Sequence, residues 1–210
     1  MKTLGESQLY TFVDTAYLRG RDPVAVTRQL CEGGSDIIQL RAKKESPVEV
    51  KRIGQAILPI TRAAGVLLVI NDYAEISAEL GAQCVHLGQE DFFDAGFMHR
   101  SQLSTFNSQL GLSSHAPEQA QRAVAAGADY IAVGPVFATG TKPGRSPVTL
   151  EYVRWAAANV CLPWFAIGGI TLETLDDVLA AGARRICVVS AILNAPDIAQ
   201  ACRQFKRRLA

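Results

Sequence analysis

The segment from Gly134 to Gly144, GPVFATGTKPG, holds the residue types that an anion-binding loop requires. Glycine lets backbone N–H groups approach phosphate oxygens, Thr139 and Thr141 offer hydroxyl donors, and Lys142 adds a mobile positive charge. The same composition also suits a plain surface turn, so its meaning depends on its surroundings. Other chemistry-bearing residues follow short apolar runs: Gln39, Arg41 and Lys43; Asn71 and Asp72; Gln89 and Asp91; Ser113, Ser114 and His115. Strand alternation puts Gln39 and Arg41 on one side, with Lys43 following them. A planar guanidinium and a point-charge ammonium there would clamp an anionic substrate; the alternative is an internal salt bridge from Arg41 to Asp14 or Asp72.

Asp72 and Asp91 follow successive apolar runs, so they stand side by side at one rim. Carboxylates that close repel, and a divalent cation relieves the repulsion. Mg2+ takes one or two carboxylates and completes its shell with substrate phosphate oxygens and water. Glu90 is an alternative to Asp91, and Asp72 has the alternative role of capping a helix that starts near Tyr73. Gly168 and Gly169, with Val189 and Ser190, outline a second, neutral phosphate pocket shared with Thr139 and Thr141, although paired glycines also serve a tight turn. His86 reads as a core or rim residue. His115 reads as a catalytic candidate or the neighbour of a helix start, and His99 as loop surface. A basic pocket with a metal and a neutral pocket together imply two phosphorylated substrates.

Repeated elements must hold these residues. Apolar runs recur at Leu9 to Val13, Ile37 to Leu40, Val66 to Ile70, Cys84 to Leu87, Leu110 to Leu112, Tyr130 to Val133, Trp164 to Ile167 and Ile186 to Val189. Segments of helical period lie between them, several opened by proline: Asp22-Pro23, Ser46-Pro47, Ala116-Pro117, Ser146-Pro147 and Ala195-Pro196. GGSDIIQL, GAQCVHLG, GADYIAVG and GARRICVV mark every second unit of this βα pattern. Runs that are apolar throughout suit a parallel sheet covered on both faces. The pattern predicts α/β architecture, a single-domain (β/α)8 TIM barrel over residues 1–210, with a doubly wound open sheet as the runner-up. Active sites of such barrels lie at the C-terminal strand ends, where these polar residues fall.

Bulk properties narrow the class. With 21 basic against 20 acidic residues the chain is no general nucleic-acid binder, and Lys206 to Arg208 reads as the solvated end of a helix. The 49% hydrophobic content supplies a globular core, and no apolar run nears the roughly 20 residues of a membrane span, so a soluble protein is expected. The start, MKTLGESQLY, lacks a secretory pattern. The five cysteines form no CxxC pair and read as reduced, mostly buried thiols of a cytoplasmic protein.

Seven motifs, in order, resemble those of the thiamine-phosphate synthase family: QLRAK from Gln39, IND from Ile70, HLGQED from His86, GLSSH from Gly111, GPVFATGTK from Gly134, AIGGI from Ala166 and VVSAI from Val188. The resemblance runs from about Leu9 to Ile192. It implies the joining of 4-amino-2-methyl-5-(diphosphooxymethyl)pyrimidine to 4-methyl-5-(2-phosphooxyethyl)thiazole with release of pyrophosphate. It further implies that Gln39, Leu40, Arg41, Ala42, Lys43, Asn71, Ser113 and Lys142 hold the pyrimidine diphosphate, with Arg41, Lys43, Ser113 and Lys142 serving catalysis. Asp72 and Asp91 would bind Mg2+, one ion per subunit. Thr139, Gly140, Thr141, Gly169, Val189 and Ser190 would hold the thiazole phosphate. The implied partners are two small phosphorylated substrates, with neither nucleic acid nor membrane; the sequence leaves a homo-oligomer open. The related thiazole tautomerase carries a histidine where this chain has Pro135, and a non-catalytic thiazole-phosphate-binding barrel is the other alternative. Phe92 to Gln109 departs from the family pattern.

Overall fold

A computed structural model describes residues 2–103, 108–139 and 146–209. Eight strands alternate with helices: β1 (Leu9–Asp14), α1 (Thr15–Leu18), α2 (Pro23–Glu32), β2 (Ile37–Arg41), α3 (Pro47–Ala63), β3 (Leu67–Asn71), α4 (Ala74–Leu80) and β4 (Cys84–Leu87) form the first half. The second half holds β5 (Gln109–Ser114), α5 (Pro117–Ala125), β6 (Tyr130–Val133), α6 (Thr149–Asn159), β7 (Trp164–Ile167), α7 (Leu175–Ala180), β8 (Ile186–Cys187), α8 (Ser190–Leu193) and α9 (Ile198–Leu209). The strands pair in parallel in sequence order, and β8 closes onto β1. The closed barrel thus replaces the open-sheet alternative.

Local chemistry explains the helix starts, with two corrections. Asp22 accepts from the N–H groups of Val24 and Ala25, and Ser46 from that of Glu49, so Pro23 and Pro47 stand at first helical positions as expected. Pro147 and Pro196 do not open helices. α6 starts at Thr149, and α9 starts at Ile198, where the Asp197 carboxylate accepts from Gln200 N–H at 2.8 Å. β8 is also shorter than the apolar run suggests. Val188 N–H still donates to Tyr10 O at 3.0 Å, but Val189 leaves extended geometry and the chain turns into α8.

Inside the barrel the alternation of side chains brings Tyr10, Tyr130 and Phe165 together, all buried. Gly111 makes room for them. It lies in register between His86 of β4 and Tyr130 of β6, and a Cβ there would stand 2.1 Å from the Tyr130 ring. That ring is confined by Tyr10 and Phe165, so it cannot retreat. At the opposite end of the barrel, Asp36 ties together the chain's extremities. Its carboxylate accepts from the N–H groups of Gln8 and Leu9, and pairs with Lys2 at 2.6 Å and with Lys206 of α9. Burial opposes ionisation of Asp36, yet these donors outweigh it and hold its pKa below the ordinary value.

Two stability predictions follow from these contacts. Gly111→Ala lowers unfolding free energy by about 2 kcal/mol, measured by urea titration; an unchanged midpoint would mean that the Tyr130 ring yields. Asp36 is a depressed-pKa group, so its contribution is complete above the unfolded carboxyl value of about 4 and disappears as pH falls through the native value. Wild type should therefore exceed Asp36→Asn in stability at neutral pH, with the gap closing in acid. A gap independent of pH would show that the charge contributes nothing.

Candidate active site

The C-terminal ends of the strands surround a cavity of about 440 Å³. One side, from β2 to β4, is charged: Arg41, Lys43, Asp72, Glu90 and Asp91 reach it beside Gln39 and Asn71. The opposite side, from β6 to β8, is nearly neutral, with Thr139, Gly168, Gly169, Val189 and Ser190. Ser113 and His86 line the cavity between them. Leu40 and Ala42 are buried and do not line it; Leu40 lies within 3.8 Å of where a Cβ on Gly54 of α3 would stand. Lys142, Gly140 and Thr141 lie outside the described residues.

Arg41 pairs with Asp14 at 2.7 Å, across two strands whose register sets these residues side by side. Asp14 is almost completely buried, so the guanidinium neutralises a carboxylate that water cannot reach, and only part of it faces the cavity. Lys43 serves the other acids. Its Nζ lies 2.5 Å from Asp72 Oδ2 and 4.0 Å from Asp91 Oδ2. Asp72 therefore does not cap α4, whose start has no side-chain cap. Its backbone adopts φ 68°, a left-handed geometry uncommon outside glycine but tolerated by aspartate. Burial lifts the Asp72 carboxyl above its ordinary pKa and the Asp91 charge adds to that, while Lys43 pulls it down.

Two carboxylates close enough to share one ammonium, both facing a cavity, match the hard oxygen donors that Mg2+ prefers. Among the described residues no group of three or more His, Cys, Asp or Glu forms a closed cage. Any further ligands would come from phosphate oxygens and water, as is usual for this ion.

Glycine shapes the neutral side. The loop leaving β6 lies directly on β7: Val136 N–H donates to Ile167 O at 2.8 Å and Phe137 N–H to Gly168 O at 3.0 Å. A Cβ on Gly134 would stand 2.1 Å from Ile167 O, and one on Gly168 would stand 2.4 Å from the Pro135 side chain. Gly168 also has φ 104°, a conformation open to glycine alone in practice. On the rim between β4 and β5, Gln89 donates to Ser113 O at 2.6 Å and accepts from Arg122 at 2.7 Å, while the Arg122 guanidinium lies 3.8 Å over the Phe93 ring. The unusual segment after Asp91 is thereby anchored: a π-helical turn, Glu90–Asp94, packs Phe92 and Phe93 inward, and Arg100 pairs with Asp129 at 2.5 Å.

Several wall residues were not singled out by sequence reasoning: Tyr10, Phe12, Ile167 and Cys187. Alternation backwards from Asp14 would have found Tyr10 and Phe12. The other four thiols do not line the cavity. Burial pushes Cys31 up to about 11 and Cys84 and Cys202 up to about 12, so these three are not ready nucleophiles.

Residues 9–192 match the family model described as thiamine monophosphate synthase. The chain belongs to that family. It is 47% identical over 184 residues to the thiamine-phosphate synthase of Thermus thermophilus, covering 87% of each chain. It is 43% identical over 210 residues to that of Acidothermus cellulolyticus, covering 99% of this chain and 97% of the relative. The thiamine phosphate pyrophosphorylase structure from Pyrococcus furiosus superposes with a TM-score of 0.85 at 28% identity, over 98% of this chain and 96% of that one. The thiamine-phosphate synthase family is one of transferases, and the tautomerase and binding-protein alternatives are not favoured.

The Arg41–Asp14 pair lets a structural demand on Arg41 be tested apart from a functional one in this thiamine-phosphate synthase family member. Arg41→Met leaves Asp14 buried and uncompensated and should cost about 3 kcal/mol of stability. Adding Asp14→Asn should restore most of that stability without restoring turnover. Recovery of turnover in the double variant would confine Arg41 to a structural role.

Proposed function

We propose that the protein is a cytoplasmic, Mg2+-dependent thiamine-phosphate synthase that joins the pyrimidine diphosphate to the thiazole phosphate and releases pyrophosphate. The observation that carries this reading is the division of one cavity into a cationic, carboxylate-bearing side and a neutral side of glycine and hydroxyl groups, in a chain of this family. Among the described residues no helix is long and apolar enough to cross a membrane.

In this reading Gln39, Asn71 and Ser113 hold the aminopyrimidine, and Arg41, Lys43 and Lys142 receive the diphosphate. Asp72 and Asp91 would hold one Mg2+ per subunit, which supplies Lewis-acid neutralisation of diphosphate oxygens. The C–O bond to the diphosphate breaks first, and its electron pair leaves with pyrophosphate. The amino group of the pyrimidine shares its lone pair with the methylene cation, and the thiazole nitrogen then forms the new C–N bond. Thr139, Thr141 and Ser190 orient the thiazole phosphate through hydroxyl groups, while Gly140, Gly169 and Val189 let it approach the backbone. No side chain has to act as nucleophile, so the protein's contribution is charge stabilisation and placement of two partners.

Lys43 has two uses here. Before the substrate arrives it neutralises the acid pair, and beside a bound diphosphate its ammonium lies next to phosphate oxygens instead. The expected result with both phosphorylated substrates is equimolar thiamine phosphate and pyrophosphate, formed only with Mg2+. Asp72→Ala should lower turnover at limiting Mg2+ by at least about 100-fold; full turnover in that variant would remove Asp72 from metal binding. Thiazole phosphate binding without product would instead favour a binding barrel.

A further inference from the structure

Beneath the cavity, five buried polar side chains form a continuous chain across the barrel. Gln39 Nε2 donates to Tyr10 Oη at 2.6 Å, and the Tyr10 and Tyr130 hydroxyls lie 3.2 Å apart. Tyr130 Oη is 3.3 Å from His86 Nδ1, and His86 Nε2 is 3.0 Å from Ser113 Oγ. Every member is buried. The His86–Tyr130 contact exists because Gly111, on the strand between them, has no side chain to interpose.

A phenol owns one proton, and each nitrogen of a neutral imidazole is either donor or acceptor, so the direction of one bond dictates the next. An amide nitrogen only donates. Tyr10 therefore accepts from Gln39 and turns its own O–H to Tyr130. Tyr130 in turn donates to His86 Nδ1, which places the imidazole proton on Nε2. That N–H donates to Ser113 Oγ, and the Ser113 hydroxyl proton is left to point into the cavity. Gln39, having committed an N–H to Tyr10, keeps its carbonyl oxygen as an acceptor. Turning the Gln39 amide over would reverse every bond and spend the Ser113 proton inside the wall.

We propose that Tyr10 and Tyr130 are positioning residues that set the hydrogen-bond polarity of the pyrimidine-binding wall, so that Gln39 offers an acceptor and Ser113 a donor. An acceptor and a donor complement an aminopyrimidine, which carries amino protons and ring-nitrogen lone pairs. This assignment rests on the reading of Gln39 and Ser113 as pyrimidine ligands. Burial raises both phenol pKa values well above the ordinary range, so both protons stay in place.

The 15N shifts of His86 in the free wild-type protein at neutral pH test the polarity without any substrate. The expected state is neutral imidazole with its proton on Nε2, and Tyr130→Phe should convert it to a mixture of tautomers. A proton on Nδ1, or on both nitrogens, overturns the proposal. So does an Nε2–H tautomer that Tyr130→Phe leaves unchanged. In turnover, Tyr130→Phe should raise KM for the pyrimidine diphosphate about tenfold, the equivalent of one hydrogen bond, and leave KM for the thiazole phosphate within about twofold. Equal changes in both constants, or none, would reduce Tyr130 to a packing residue. Should the expected tautomer be found in a protein that makes no thiamine phosphate, the relay stands and the substrate assignment falls.

Discussion

A closed barrel of eight strands has an interior that side chains must fill, and here Tyr10, Tyr130 and Phe165 fill it with ring centroids 5.4 to 6.2 Å apart. Their packing depends on the absence of a side chain at Gly111. The filled middle gives the cavity a floor, so ligands must enter from the C-terminal rim. The same rings carry hydroxyl groups, and hydroxyls so deeply buried need partners. Gln39 and His86 satisfy them, which makes the floor of the site a polar, oriented surface inside an otherwise apolar core.

Charge is handled differently at two depths. Asp14, almost completely buried behind the charged side, has a dedicated partner in Arg41. Asp72 and Asp91 lie nearer to water and share the half-exposed Lys43, a flexible point charge. A rigid pair at depth and an exchangeable one at the mouth suit a site that must remain folded while it receives an anion and a cation together. Across the cavity the wall is almost without charge. Its phosphate ligation would rely on hydroxyls and on backbone laid open by glycines, and the close seating of the β6 loop on Gly168 sets where that backbone lies.

Much of this was legible in the residues. Apolar runs of three to five residues, proline at helix starts and polar residues directly after each run follow from steric and hydrophobic rules that act within a few positions of the chain, so they located the strands, most helix starts and the rim of the site. Those rules failed in four places, at two of which a neighbour distant in sequence intervenes: Pro135 O accepts from Val148 N–H just before α6, and Lys43 takes Asp72. Pro147 and Pro196 open no helix, β8 turns early into α8, and Asp72 serves Lys43 rather than the start of α4.

By itself the sequence determined the repeated βα architecture, the face that carries chemistry and, through motifs, the family. Tertiary structure alone decided which acid each cation neutralises, which glycines stand against backbone or ring, and that five polar side chains on strands β1, β2, β4, β5 and β6 form one relay. Local periodicity says which way a side chain points from its own strand. Contact across the barrel depends on closure, register and stagger of all eight strands at once, and these exist only when the chain is folded.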